Sequence, residues 1–262
     1  MPDVFSVNLY IKMSYSFGRL PHSITKFMEA PRHVFGDVVP PTILDRRSIN
    51  FVPGLYYNDT LPVCSAVGII NAARAVAKLN GYDLVVEDAD VPAFYASVVG
   101  CLPTTEAIVA TEGAVLLQAL AEQERYGFNI GPQSLVAGWK TVNIKSRTDI
   151  ANTINRLGSI YTGVNLHERD MQTVGQLWDV IPGRDDGGFV GGHAVIIWDF
   201  LGLSDYSTVR IGTWGAWQTA TWAWVHSRIE EAYGLAWRQL VKASGTYWNG
   251  MTPDSLMRLT TG

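Results

Sequence analysis

Two kinds of periodicity divide this chain, and their order restricts the fold more than any single motif does. Strand-like runs crowd the later part: SIYTGV at 159–164, HAVIIWDF at 193–200, TVRIGTW at 208–214 and TATWAWV at 219–225. All are rich in β-branched and aromatic residues, and Gly- and Asp-rich loops separate them. Helical spacing comes earlier. Val63, Val67, Ile70, Ala73 and Ala77 recur at three- and four-residue steps, and Asn80-Gly81 supplies a left-handed stop. An Ala-, Leu-, Glu- and Gln-rich segment from about Gly113 to Gly127 predicts a second helix, and Ser146 caps a third that carries Ile150, Ile154 and Leu157 on one face. RIEEAYGLAWRQLV, at 228–241, reads as one more helix. Helices first and strands second predict an α+β architecture with a helical lobe beside a sheet lobe, because a parallel sheet needs alternating βαβ units.

The expected organisation is an N-terminal extension at 1–38, a helical lobe at 39–142, a sheet lobe at 143–226 and a C-terminal extension at 227–262. A chain of 262 residues, 47% hydrophobic and 17% charged, can bury a sizeable core. Twenty basic against twenty-four acidic residues, with no basic block, speak against a nucleic-acid partner. The opening MPDVFSVNLYIKMSYSFGRL has no basic stretch followed by an apolar one, and no segment approaches the roughly 18 apolar residues of a membrane helix. No export signal and no membrane association are expected, which places the chain in the cytoplasm or on a larger particle.

Two cysteines, Cys64 and Cys101, are too few for a disulfide framework or a Cys-rich zinc site, and both are expected to be reduced. No cofactor or metal is called for. GRDDGGFVGG lacks a dinucleotide or phosphate-loop pattern and reads as a loop, with Asp185 and Asp186 as solvated charges. Several of the nine tryptophans fall inside the strand-like runs and are assigned to core packing.

Cys64 stands in the first turn of the apolar helix, where unpaired N–H groups and aligned peptide dipoles favour a thiolate. It can be a nucleophile or a small buried hydrophobe; position alone does not separate the two. A nucleophilic thiol needs a base, and His193, opening an apolar strand after a glycine-rich loop, is placed to be one. It lies 129 residues beyond Cys64.

PPTILDRRSINFVPGLYYNDTLPVCSAVGI resembles the mature start of papain-like cysteine peptidases, GGHAVIIWDF is similar to their histidine strand, and VRIGTWGAW to their Asn-Ser-Trp-Gly strand and turn. TEGAVLLQALAEQERYGF and SRTDIANTINRLGSIYTGV resemble the intervening elements, so the likeness runs in order over about residues 40 to 226. The resemblance implies a two-lobed papain-like fold, with a helical left lobe and an antiparallel sheet or barrel on the right. It implies Cys64 as nucleophile, His193 as base, Asn58 in place of the oxyanion-hole glutamine, and Trp214 as the shield of the histidine. Glu112 and Gly113, ahead of the cleft-lining helix, and Gly192 and Ala194, flanking the histidine, are implied to touch substrate.

Departures from the family pattern accompany the likeness. Aligning TWG with Ser-Trp-Gly puts Gly212 where the asparagine that orients the imidazole stands, leaving Thr213, Asp205 or a backbone carbonyl to take over; Asp199 lies too far along the strand. The tryptophan after the nucleophile is Ser65. Two expectations follow. One is a cysteine peptidase or amidase acting on a peptide or protein substrate through Cys64 and His193. The other is a degenerate papain-like protein kept as a binding or structural component of a larger assembly such as a viral particle, with partners held by its terminal extensions. The second draws on Gly212, on Asn58 and on the lack of the long inhibitory pro-segment of family zymogens.

Overall fold

The structure, a computed structural model, describes residues 15–23 and 38–259. The apolar run at the centre of the sequence forms helix α1, Cys64–Leu79, buried along nearly its whole length and stopped at Asn80 and at Gly81, whose φ of 92° suits glycine. Around it pack α2 (Asp90–Val99), the short α3 (Thr105–Val109) and α4 (Leu116–Tyr126), followed by a small hairpin of β1 (Phe128–Ile130) and β2 (Gln133–Leu135). The second predicted helix therefore starts three residues later than expected. Gly113, with φ 117°, breaks the segment ahead of it.

The rest of the chain supplies β3 (Ala137–Thr141), α5 (Arg147–Leu157), β4 (Ile160–His167), α6 (Glu168–Gln172), β5 (Phe189–Phe200), β6 (Thr208–Thr213), β7 (Ala216–Thr221), α7 (Trp222–Arg228), β8 (Ile229–Trp237) and α8 (Pro253–Met257). Six strands form one antiparallel sheet in the order β3-β8-β4-β5-β6-β7. Residues of β5 alternate between two cores: Ala194, Ile196 and Trp198 face the α1 side, and Val195, Ile197 and Phe200 join the Trp178, Trp222 and Trp224 core. Five of the nine tryptophans, Trp178, Trp198, Trp222, Trp224 and Trp237, are fully buried, while Trp139, Trp217 and Trp248 are partly exposed. The two cysteines are not bonded to each other.

Three readings of the sequence are corrected here. RIEEAYGLAWRQLV is not a helix; its first part is β8, inserted between β3 and β4 and buried at eight of nine positions. A strand covered on both faces loses the alternation that marks an exposed one, and backbone pairing on both sides outweighs the helix propensity of Glu, Ala and Leu. The fourth strand run stops at Thr221, whose hydroxyl accepts from the Trp224 N–H and starts α7. Asp186, expected to be solvated, is half-buried between Arg228 (2.6 Å) and Arg184 (3.3 Å).

Candidate active site

Helix α1 brings Cys64 to the edge of β5. The sulfur is fully buried. Burial pushes the thiol up to about 11, against the opposing pull of the Ala194 N–H, the Gly18 N–H, the Arg19 charge and the Ser65 N–H. A helix N-terminus alone would lower the thiol; here removal from water wins. Ala194 adjoins His193 on β5, so the backbone that reaches the sulfur is continuous with the strand that carries the imidazole.

His193 is also fully buried, and burial pushes its ring down to about 3. Its Nε2 lies 2.7 Å from Thr213 Oγ1, while Nδ1 has no hydrogen-bond partner among the described residues. Trp214 stacks on the ring at 4.3 Å and 17°. The β6–β7 turn makes this possible: Thr213 pairs with Ala216, and the two residues between, Trp214 and Gly215, have φ of 44° and 73°. A two-residue hairpin with both central residues at positive φ matches the strand twist, but it is a strained backbone for a tryptophan. What the strain holds in place is an indole over an imidazole.

Of the groups open to orient His193, the one in contact is Thr213. Asp205 pairs with Arg147, and Asp199 binds Arg210 (2.9 Å) and the Arg46 N–H (3.0 Å). Gly212 sits opposite Ile196, where a side chain would crowd Ile196 and Pro53 on the α1 face. Continuing that register sets Thr213 opposite Val195, on the same face of β5 as His193.

Asn58 is buried at the end of a turn in which Tyr56 and Tyr57 take φ of 48° and 63°, and its side-chain oxygen has no partner among the described residues. Glu112 is exposed. The residue that acts in its neighbourhood is Ala114, which the sequence reading did not single out.

That contact is with the chain's own N-terminal segment. Residues Phe17 to Leu20 lie across the thiol. Ala114 N–H donates to the Gly18 carbonyl (2.7 Å), Leu20 N–H to the Ala114 carbonyl (3.0 Å), and Arg19 N–H to the Gly192 carbonyl (3.2 Å). Phe17 stands edge-on to His193 and to Trp214, and Tyr15 tilts against Trp214 at 4.3 Å. Side-chain atoms on Gly113 or Gly192 would overlap the Gly18 and Arg19 carbonyls, so two of the implied substrate-contact positions form the floor under this strap. Beside Trp214 an apolar cavity of about 220 Å³ opens, lined also by Tyr15, Leu55 and Trp217.

No family model matches the sequence, and no curated protein matches it. Solved structures do match by shape. They include xylellain, a cysteine protease from Xylella fastidiosa (TM-score 0.59, 9% identity, 85% of this chain and 96% of that one). A procathepsin B from Trypanosoma congolense (0.57, 11%, 83% and 85%) and a digestive procathepsin L from the Tenebrio molitor larval midgut (0.57, 9%, 85% and 76%) match similarly.

Proposed function

We propose that this chain, which has the papain-like cysteine protease fold, is a cysteine-type peptidase or amidase in which Cys64 is the nucleophile and His193 the base. One observation carries this reading. The imidazole is anchored through Nε2 to Thr213 beneath Trp214 and keeps Nδ1 unpartnered, while the adjoining backbone N–H reaches the Cys64 sulfur. An unpaired buried nitrogen is costly in a group that is merely structural.

In the proposed reaction, Nε2–H donates to Thr213 and Nδ1 takes the thiol proton. The thiolate sulfur then attacks the amide carbonyl carbon, and the carbonyl electron pair moves to oxygen. Asn58 and the Cys64 N–H, free of helical pairing in the first turn, receive that oxyanion; losing one such donor costs about 3–4 kcal/mol. Collapse expels the amine, which collects the proton from His193. Water, deprotonated by the same nitrogen, cleaves the thioester and restores the thiol.

With the strap seated, the site holds a neutral thiol and a neutral imidazole. The Gly18 N–H, which pulls on the thiol, belongs to the strap, so the strap occupies the site that a substrate would take. Displacing the strap re-exposes the pair to water and to the helix dipole. The test is covalent labelling by a thiol-reactive peptide amide mimic, compared with Cys64→Ala, in the full chain and in a strap-weakened variant. Cys64-dependent labelling together with amide turnover supports the reading. Equal labelling of both proteins overturns it and leaves a papain-like scaffold used for binding.

A further inference from the structure

Glu231 on β8 is fully buried. Taking a carboxylate out of water is expensive unless a cation meets it, and among the described residues the guanidinium that does so is that of Arg19 (Nε to Oε1, 2.8 Å), with the His22 ring 3.4 Å from Oε2. Arg19 is part of the strap, and His22 follows it in the same N-terminal segment. The body of the protein contributes neutral donors and acceptors: the Tyr233 hydroxyl donates to Oε2 (2.6 Å), and Asn165 Oδ1 accepts from Arg19 Nη1 (2.8 Å). The anion is thus built into one part of the molecule and neutralised by another, and that other part is held to the cleft by the three backbone hydrogen bonds to Ala114 and Gly192.

The slot is also shaped for this side chain. Two N–H groups of the guanidinium are read at once, Nε by a carboxylate and Nη1 by a carboxamide, a planar match that an ammonium cannot make. Gly163 leaves the space for it, since a side chain there would overlap Arg19 Nε and crowd Glu231. Gly192 leaves room on the other side, its missing side chain falling 3.4 Å from Arg19 Nη1. The slot opens beside the Gly192 carbonyl, one residue from His193.

We propose that the Glu231–Asn165 slot is the specificity site of the cleft, and that it takes the arginine side chain of an extended peptide once Arg19 has left. The proposal rests on the peptidase reading of the same cleft. Arg19 then acts as an internal competitor: a chain that blocks its own site uses the side chain the site is built to hold. Without Arg19, Glu231 keeps the Tyr233 hydroxyl on Oε2 but loses the guanidinium on Oε1, which an incoming arginine restores and an isosteric apolar side chain does not.

The test uses the full chain with R19A, and two peptides, acetyl-Phe-Gly-Arg-Leu-amide and the same peptide with norleucine for arginine, titrated by tryptophan fluorescence. R19A should bind the arginine peptide tighter by about tenfold or more, as expected for one desolvated charge pair. The preference should vanish in R19A/E231Q. Equal affinity for the two peptides, or no binding of either, overturns the proposal. If R19A is unfolded by circular dichroism, R19Q replaces it; if both are unfolded, Arg19 is a structural keystone and the proposal also falls. Fluorogenic amides with arginine or norleucine at that position separate this inference from the peptidase reading. Selective binding without any turnover removes the peptidase and leaves the slot, whereas turnover without arginine preference removes the slot and leaves the peptidase.

Discussion

His193 Nε2 and Thr213 Oγ1 lie 2.7 Å apart in a buried site. A hydroxyl can accept one proton from the ring but brings no second polar group to fix its plane, so the stacked Trp214 must supply the remaining restraint. Thr213→Val keeps the shape and removes the acceptor. An unpaired buried donor costs about 1–3 kcal/mol, which corresponds to a fall in kcat/KM of about tenfold to a hundredfold. Thr213→Ser should recover most of it, measured as kcat/KM across pH; an unchanged rate in the valine variant would remove Thr213 from the mechanism.

Asn58→Ala should lower kcat for amides by about 10²-fold or more, the usual effect of deleting one oxyanion donor. Alkylation of Cys64 by a small haloacetamide develops no oxyanion and should proceed at the parent rate. A parallel loss in both would mean that Asn58 supports the fold of the turn at Tyr56 and Tyr57.

Gly18→Ala should uncover the thiol. A methyl group there would overlap the Pro62 carbonyl, a backbone atom that cannot turn aside. Overpacking of this kind costs about 1–3 kcal/mol, so the uncovered population and the labelling rate of Cys64 should rise by about one to two orders of magnitude. Half-exposed Cys101 is replaced by serine in both proteins so that mass spectrometry reads one thiol.

Acid should destabilise the strapped form through His193. The ring takes a proton near 6.5 when unfolded and near 3 when folded, because burial opposes the charge. Between those values the unfolded chain binds more protons, so stability falls as the pH drops from about 6.5 towards 3. The urea midpoint of the parent should therefore fall more between pH 7 and pH 4 than that of His193→Gln. Equal falls would show that the ring titrates normally.

The placement of Cys64 at the head of an apolar helix and of His193 in an apolar strand was legible because each sits in a locally patterned segment, whereas Asn58 and Trp214 were singled out only by the likeness to the papain-like family. Helix α5 was legible for the same reason, down to Ser146 accepting from the Asp149 N–H. What stayed hidden depends on contacts distant in sequence. Glu231 sits in a segment whose composition favours helix, and only pairing with β3 and β4 makes it a strand residue aimed into a slot. Arg19 lies in a stretch without periodicity, 212 residues from its partner. The partner of the imidazole was narrowed to three groups by sequence; parity along β6 decides it, since neighbouring strand residues face opposite ways.

That parity has an origin some distance from the thiol. The pairing of β5 with β6 shifts by one residue between Ile197 and Asp199, and the shifted register is what turns Thr213 towards the imidazole and Gly212 towards α1. Without the shift the two would exchange sides, and the ring would face a hydrogen atom where it now meets an oxygen. Such a site can acquire a new orienting group by sliding one strand a single step, with no substitution at any residue that touches the histidine.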